Sequence, residues 1–327
     1  MKKSLIALAV LAASGAAMAQ SSVTLYGIAD VWVGSIKSDN GTTSTTTTSM
    51  VSGGVSTSRW GLKGSEDLGG GLKAEFMFEQ GVNVDTGAAA GFSRHAWVGF
   101  AGGFGAIRLG KTSTPYDDYA AGSNAAFDSD LAPVNLGGYA TTGYSGKTDN
   151  TIKYVAPNMG GFSGAFSYAM DEKVATAAEI TSFGLTYAGG PLAAFVAYQE
   201  EDMSTTGNDT AFLRAGVNYN FGMGTAKLAY GQVTDIGNVS GADMDELQLG
   251  LDFPLSSNLI LSGSYALGDY NAKAGDFEKN GFALAVAYVM SKRTTLYGGF
   301  GTVKTDFAGS TPDADVSAVA IGVKHTF

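Results

Sequence analysis

Hydrophobic and polar residues alternate along most of this chain with a period of two. Val23, Leu25, Gly27, Ala29, Val31 and Val33 share one parity, and Thr24, Tyr26, Asp30 and Trp32 the other. Trp60 and Leu62 alternate with Arg59 and Lys63; Ala74, Phe76 and Phe78 alternate with Lys73, Glu75 and Glu79. Leu247, Leu249, Leu251 and Phe253 alternate with Glu246, Gln248 and Asp252, and the last nine residues repeat the pattern from Val319 to Phe327. Successive side chains of a strand point to opposite faces, so a period of two predicts strands with one apolar face. Apolar residues at helical spacing are sustained over no long window. Sixteen strands are predicted, at 23–36, 53–65, 72–84, 93–101, 104–111, 150–157, 161–171, 180–189, 191–202, 210–221, 224–235, 243–253, 258–269, 279–290, 293–304 and 315–327.

The connections between them alternate in length. Gly102-Gly103, Gly189-Gly190, Gly222-Met223 and Ser291-Lys292 are tight, and so is 158–160; the segments 37–52, 112–149, 173–179, 203–209 and 308–313 are long and polar. Strands of roughly 9–11 residues with short turns at one end and long loops at the other predict an all-β fold, a transmembrane antiparallel β-barrel of 16 strands. A run of 18 apolar residues is missing from the part of the chain that holds the strands, which excludes a membrane-spanning helix there. In such a barrel a Lys or Arg facing lipid at the midplane costs roughly 2–4 kcal/mol. Arg59, Lys63, Arg94, Arg108, Lys153, Arg214 and Lys324 are therefore expected to point inward, with parity least clear at Arg94, because 95–100 is apolar on both parities. Tyr154, Tyr168, Tyr187, Tyr198, Tyr219, Tyr230, Tyr265, Tyr288 and Phe327 sit near the ends of the apolar faces, as aromatic girdles would.

The N-terminus follows another rule. Lys2 and Lys3 precede an apolar run from Leu5 to Ala13, and Ala17-Met18-Ala19 reads as a cleavage site. Residues 1–19 are expected to be a secretory signal peptide and 20–327 the barrel. Its removal leaves 18 basic against 30 acidic residues, a balance of −12 instead of −10. That balance argues against nucleic-acid binding. With no Cys and two His, the sequence has no disulfide scaffold, thiolate metal site, cysteine nucleophile or His-rich metal motif. Charged residues are only 15% and glycines number 47, as half-lipidic strands with tight turns require.

Segment 112–149 has no strand pattern of its own. A connection of that length inside a compact fold is functional or disordered. Its Tyr116, Tyr119, Phe127, Leu131, Pro133, Val134 and Leu136 need a surface to pack on, which favours order. Sixteen strands enclose a water-filled channel, and folding this loop into it would narrow the pore and set loop carboxylates against wall cations. The rival classes are weaker. His95 and His325 stand alone on strands, His95 facing opposite to Arg94 by simple alternation, which is poor material for a Ser-His-Asp hydrolase. Glu66-Asp67 and Asp117-Asp118 are sequence neighbours that point apart rather than an acid/base pair. A plugged transporter or an adhesin would need a further domain. No cofactor, metal or enzymatic activity is expected.

Several stretches have a family look. Val23-Thr24-Leu25-Tyr26-Gly27, the run Ser58-Arg59-Trp60-Gly61-Leu62-Lys63-Gly64-Ser65-Glu66-Asp67-Leu68-Gly69, and Phe104-Gly105 with Leu109-Gly110-Lys111 are joined by Lys227-Leu228-Ala229-Tyr230-Gly231, Tyr288-Val289-Met290-Ser291-Lys292-Arg293-Thr294 and Gly322-Val323-Lys324-His325-Thr326-Phe327. Together they resemble the Gram-negative general diffusion porins of the β-proteobacterial type. The resemblance implies a homotrimer in the outer membrane, in contact with its lipid and lipopolysaccharide, passing ions and small hydrophilic solutes, with the third external loop folded into each pore. It implies basic wall residues at Arg59 and Arg94, further cations at Lys63, Arg108 and Lys153, and acidic partners among Asp117, Asp118, Asp128 and Asp130. Lys111 and Lys324 depart from the pattern, standing where Arg is usual; the charge stays and the planar fork is lost. The terminal Phe327 resembles the signal that the outer-membrane assembly machinery reads.

Overall fold

The computed structural model describes residues 22–172, 178–202, 208–271, 275–309 and 311–327. The predicted signal peptide lies outside the described residues, as do most of the loops expected at 173–179 and 203–209. Seventeen strands form one antiparallel sheet: β1 (Ser22–Asp39), β2 (Ser44–Ser52), β3 (Arg59–Gly69), β4 (Leu72–Gly81), β5 (His95–Gly102), β6 (Gly105–Ser113), β7 (Lys147–Val155), β8 (Phe162–Ala169), β9 (Glu179–Gly189), β10 (Leu192–Asp202), β11 (Thr210–Asn220), β12 (Thr225–Thr234), β13 (Asp243–Pro254), β14 (Leu259–Asn271), β15 (Phe277–Val289), β16 (Thr294–Phe307) and β17 (Ala314–Thr326). From β3 onward each strand pairs with the next, β1 pairs with both β2 and β3, and β1 pairs with β17 from Ile28↔Thr326 to Asp39↔Asp315, which closes the cylinder.

The barrel has sixteen staves because β2 and β3 share one. β2 pairs with the upper half of β1 and β3 with its lower half. Between them, residues 53–58 leave the wall, where a continuous strand 53–65 was expected. The buried Asp30 carboxylate explains the break: its Oδ2 accepts the N–H groups of Val55 (3.2 Å) and Ser56 (2.9 Å), so two backbone donors bond inward instead of to a strand. The loop expected at 37–52 is accordingly mostly strand: β1 continues to Asp39, and the Thr-rich β2 returns beside it. Threonine fits a pleated surface and needs no hydrophobic partner to do so.

The outward parity is apolar and exposed. Leu25, Val98, Leu109, Phe166, Leu185, Leu249, Leu284 and Ile321 are all exposed, while alternate positions such as Asp30, Lys153, Ser182, Gln199, Arg214 and Glu246 are buried inside. An exposed apolar belt around a closed sheet is a lipid-facing surface. The seam is finished at Phe327, whose N–H donates to Gly27 O and whose carbonyl accepts Gly27 N–H, both at 3.1 Å. Its ring covers Gly27, where any β-carbon would collide with it.

Segment 112–149 turns into the lumen and lies against the inner wall. Thr114 caps a short helix, α1 (Pro115–Tyr119), by accepting Asp117 N–H, with Pro115 pre-set for the first turn. A second, α2 (Pro133–Leu136), and three single 3-10 turns complete the segment. The loop backbone is tied to wall side chains: Tyr116 N–H to Ser182, Ala126 N–H to Ser262 and Ala140 N–H to the Tyr270 hydroxyl. Between these ties the wall is cut back to glycine. On inward positions, an added β-carbon at Gly184 would meet the Tyr119 ring at 2.4 Å. At Gly250 it would meet Ala125 Cβ at 2.4 Å, and at Gly301 the Leu131 carbonyl at 2.1 Å. Gly216, Gly231, Gly268 and Gly281 receive Ser123, Thr141, Tyr139 and Pro133 in the same way. Every strand from β11 to β16 thus gives one glycine to the loop.

Gly250→Leu should therefore lift the loop without opening the sheet. Overpacking of this kind costs about 1–3 kcal/mol. The expected result is new protease cleavage within 112–149 in the detergent-folded protein, with the barrel fragment intact; Gly263→Leu, at a position where a β-carbon has room, should leave the loop protected.

Candidate functional site

All seven basic residues expected inside lie on the inward parity or reach inward. Glu79, buried on β4, gathers four neighbouring groups. Arg94 Nε lies 2.7 Å from its Oε1 and Arg59 Nε 3.4 Å from its Oε2, and the Tyr26 hydroxyl donates to Oε2 at 2.9 Å. His95 Nε2 stands 3.9 Å from the same carboxylate. Arg94 and His95 thus converge instead of facing apart. Arg94 precedes β5, so strand alternation does not govern it, whereas His95 pairs with Glu79 across β4–β5. Among the described residues Lys63 and Arg108 take no acid. Each rests on an aromatic ring, Lys63 Nζ 5.2 Å from the Tyr26 centroid and the Arg108 guanidinium 4.7 Å from that of Trp97. Among the described residues none of these four cations hydrogen-bonds to the loop.

The loop acids have other partners. Asp118 pairs with the buried Lys153, whose Nζ also donates to Ser113 O at 2.8 Å. Asp117 pairs with Lys147 and accepts the Tyr144 hydroxyl. Asp128 meets no cation: its Oδ1 accepts Asn124 Nδ2 at 2.6 Å and Asn135 Nδ2 at 3.2 Å. It ends a run of three consecutive non-glycine residues with positive φ, Ala126, Phe127 and Asp128, a backbone that persists only when its surroundings fix it. Asp130 accepts Trp32 Nε1 at 2.9 Å. Burial pushes its carboxyl up to about 6, opposed by the Trp32 N–H and reinforced by Asp30 and Asp128.

The alternating pattern left two groups unnoticed. One is Glu79, marked only as a polar residue on an inward parity. The other is a buried network on the far wall. Arg214 donates through one nitrogen to Asn124 Oδ1 (2.8 Å), Glu246 Oε1 (3.0 Å) and Gln248 Oε1 (2.6 Å), and Glu246 also receives the Thr141 hydroxyl. One ion pair thereby holds two places in the loop, Asn124 and Thr141. Lys227 and Lys279 add bonds to the carbonyls of Asn124 and Gly137. The lumen is therefore divided. The loop is bonded to the side of β9–β16, and Arg59, Lys63, Arg94 and Arg108 lie on the side of β3–β6 without a bond to it. The described residues hold no group of His, Cys, Asp and Glu suited to a metal ion.

A family model described as Gram-negative porin matches residues 5–308. The outer membrane porin protein 32 of Delftia acidovorans is 35% identical over the whole of both chains, and an outer membrane porin protein of Bordetella pertussis is 30% identical over the whole of both. Among solved structures, the anion-selective porin from Comamonas acidovorans superposes with a TM-score of 0.81 at 28% identity, covering 94% of this chain and all of that one. With a closed sixteen-stave barrel, a lipid-facing belt and a charged lumen already in place, these likenesses make the chain a member of the Gram-negative porin family, an outer-membrane channel for passive diffusion and not an enzyme.

Proposed function

We propose that segment 112–149 narrows the pore and that ions and small hydrophilic solutes are sorted between its free edge and the basic wall, with anions preferred. One observation carries this reading. The acids Asp117 and Asp118 are neutralised by Lys147 and Lys153, while Arg59 and Arg94 share the single Glu79, and Lys63 and Arg108 have no acid. The wall of β3–β6 is left with four cations against Glu79 and Glu75, an excess of positive charge although the whole chain is acidic; the loop opposes it with Asp128 and with Asp130, whose carboxyl burial raises. Charge on the outside is screened within about 8 Å at physiological salt, so the local balance in the lumen governs. The similar porin from Comamonas acidovorans is anion-selective, which supports this reading.

The same reading takes residues 1–19 as a signal peptide, the assembly as a homotrimer embedded among outer-membrane lipid and lipopolysaccharide, and Phe327 as the residue presented to the assembly machinery. The position of Phe327 at the β1–β17 seam supports the last point. Passage consumes no cofactor; solutes move down their own gradients.

Three measurements test the sorting. In a planar bilayer with a salt gradient, Arg59→Gln and Arg94→Gln should each move the reversal potential toward cations. A unit charge about 4 Å from a passing ion is worth about 1 kcal/mol in water, roughly fivefold in permeability ratio; an unchanged potential removes these residues from the waist. Lowering the pH from 8 to 5 carries Asp130 through its raised value near 6 and removes a negative charge. Anion preference should rise over that window and flatten in Asp130→Asn. The double variant Arg214→Met, Glu246→Leu, which leaves no unpaired buried charge, should release the loop at Asn124 and Thr141, giving a larger and noisier single-channel conductance, with the barrel's thermal unfolding in detergent little changed.

A further inference from the structure

At the short-turn end of the lumen, below Glu79, is a recess of about 340 Å³ lined by Thr24, Lys63, Ser65, Glu75, Trp97 and Arg108, among others. The sheet register builds it. Lys63, Met77 and Trp97 stand opposite one another across β3, β4 and β5; Ser65, Glu75, Gly99 and Arg108 form the adjacent row across β3 to β6. Gly99 puts no side chain between Glu75 and Arg108, and the Arg108 guanidinium lies over the Trp97 ring.

The charges of the recess are uncommitted, unlike those at Glu79 and along the loop. Arg59, Arg94, Lys147, Lys153, Arg214 and Lys227 all hold an acid. Lys63, Arg108 and Glu75 make no hydrogen bond or ion pair among the described residues. Two further donors in this wall have no acceptor: the indole N–H of Trp97, a residue only 7% exposed, and the buried Nε–H of Arg108. A pocket with a flat aromatic floor and a few convergent polar groups is the usual form of a small-molecule site. Two free cations, one of them with an unmet Nε–H, and the unmet indole N–H beside them call for an oxygen acceptor with spread charge, a carboxylate. A free carboxylate beside them calls for a cation on the same molecule, because a plain anion would meet repulsion from Glu75.

We propose that this recess is a binding site for a small zwitterion, a carboxylate that carries an ammonium group, as in a small amino acid. The carboxylate lies toward Arg108 and Lys63, the ammonium toward Glu75, and a short aliphatic side chain against Trp97. The site is separate from the Arg59–Glu79–Arg94 cluster and does not depend on the loop narrowing the pore. It slows a passing solute and raises its local concentration at the inner mouth.

The test uses the full-length mature protein in a planar bilayer in KCl, with L-alanine as the probe and glycerol as the control for viscosity. L-alanine has no net charge near neutral pH, so it carries no current and reports only by occupying the channel. The expected result is a saturable fall in chloride conductance with L-alanine, beyond that with glycerol. Lys63→Gln and Glu75→Gln should each weaken the titration about tenfold, the loss of one charge-assisted hydrogen bond. Arg59→Gln should shift the reversal potential and leave the L-alanine titration in place, which separates failure of this site from failure of the waist. Conductance in KCl alone reports that each variant is folded, and if one fails to fold the other decides. A linear response equal to that of glycerol, or variants that titrate like the parent, overturns the proposal.

Discussion

In hydrocarbon every backbone N–H and C=O needs a partner within the protein, since no water can serve. The closure of β1 on β17 meets that demand for the whole sheet, and the remaining architecture follows. With no edge left, irregular backbone is tolerated only where water or protein surrounds it. Residues 53–58 and 112–149 both turn inward, and both find their partners there: Asp30 for the first, Ser182, Ser262 and Tyr270 for the second. The lumen is thus the place where non-repetitive structure, and with it selectivity, can be built.

The loop is held against one wall both by shape and by charge. Inward glycines on β11 to β16 bring its backbone within van der Waals distance of the wall, and the Arg214–Glu246 pair fixes it at two points. A buried ion pair is weak testimony for stability, because desolvation offsets much of the attraction. Its role here is positional, since the same guanidinium and carboxylate that satisfy each other also bind Asn124 and Thr141.

The alternation of side chains made the barrel legible. Lipid on one face and water on the other leave a mark at every second residue, and the strand ends fall within a few residues of the positions that alternation gives, save around the β2–β3 break. That break was hidden because Asp30, an inward polar residue like many others, acts on backbone N–H groups some 25 residues away. Arg94 defeated parity because it lies before its strand. The glycines that seat the loop were visible as composition but not as a surface, since a missing side chain carries no signal until its neighbour across space is known. The inward sense of the basic residues could be read from the cost of charge in lipid; the partner of each could not, because Glu79, Lys147 and Lys153 are chosen by three-dimensional adjacency.

The pairing of Ile28 with Thr326 and of Asp39 with Asp315 joins the two extremes of the sheet. Each of the other staves can zip onto its predecessor as a hairpin, at little entropic cost. This last contact can form only when all the intervening strands are in register, so the seam joins residues of very large sequence separation and is the slow step in closing the cylinder. Until then both outer strands are open templates for any passing β-segment. A chain of this kind must be escorted through water, and its final ring of hydrogen bonds marks the moment at which escort becomes unnecessary.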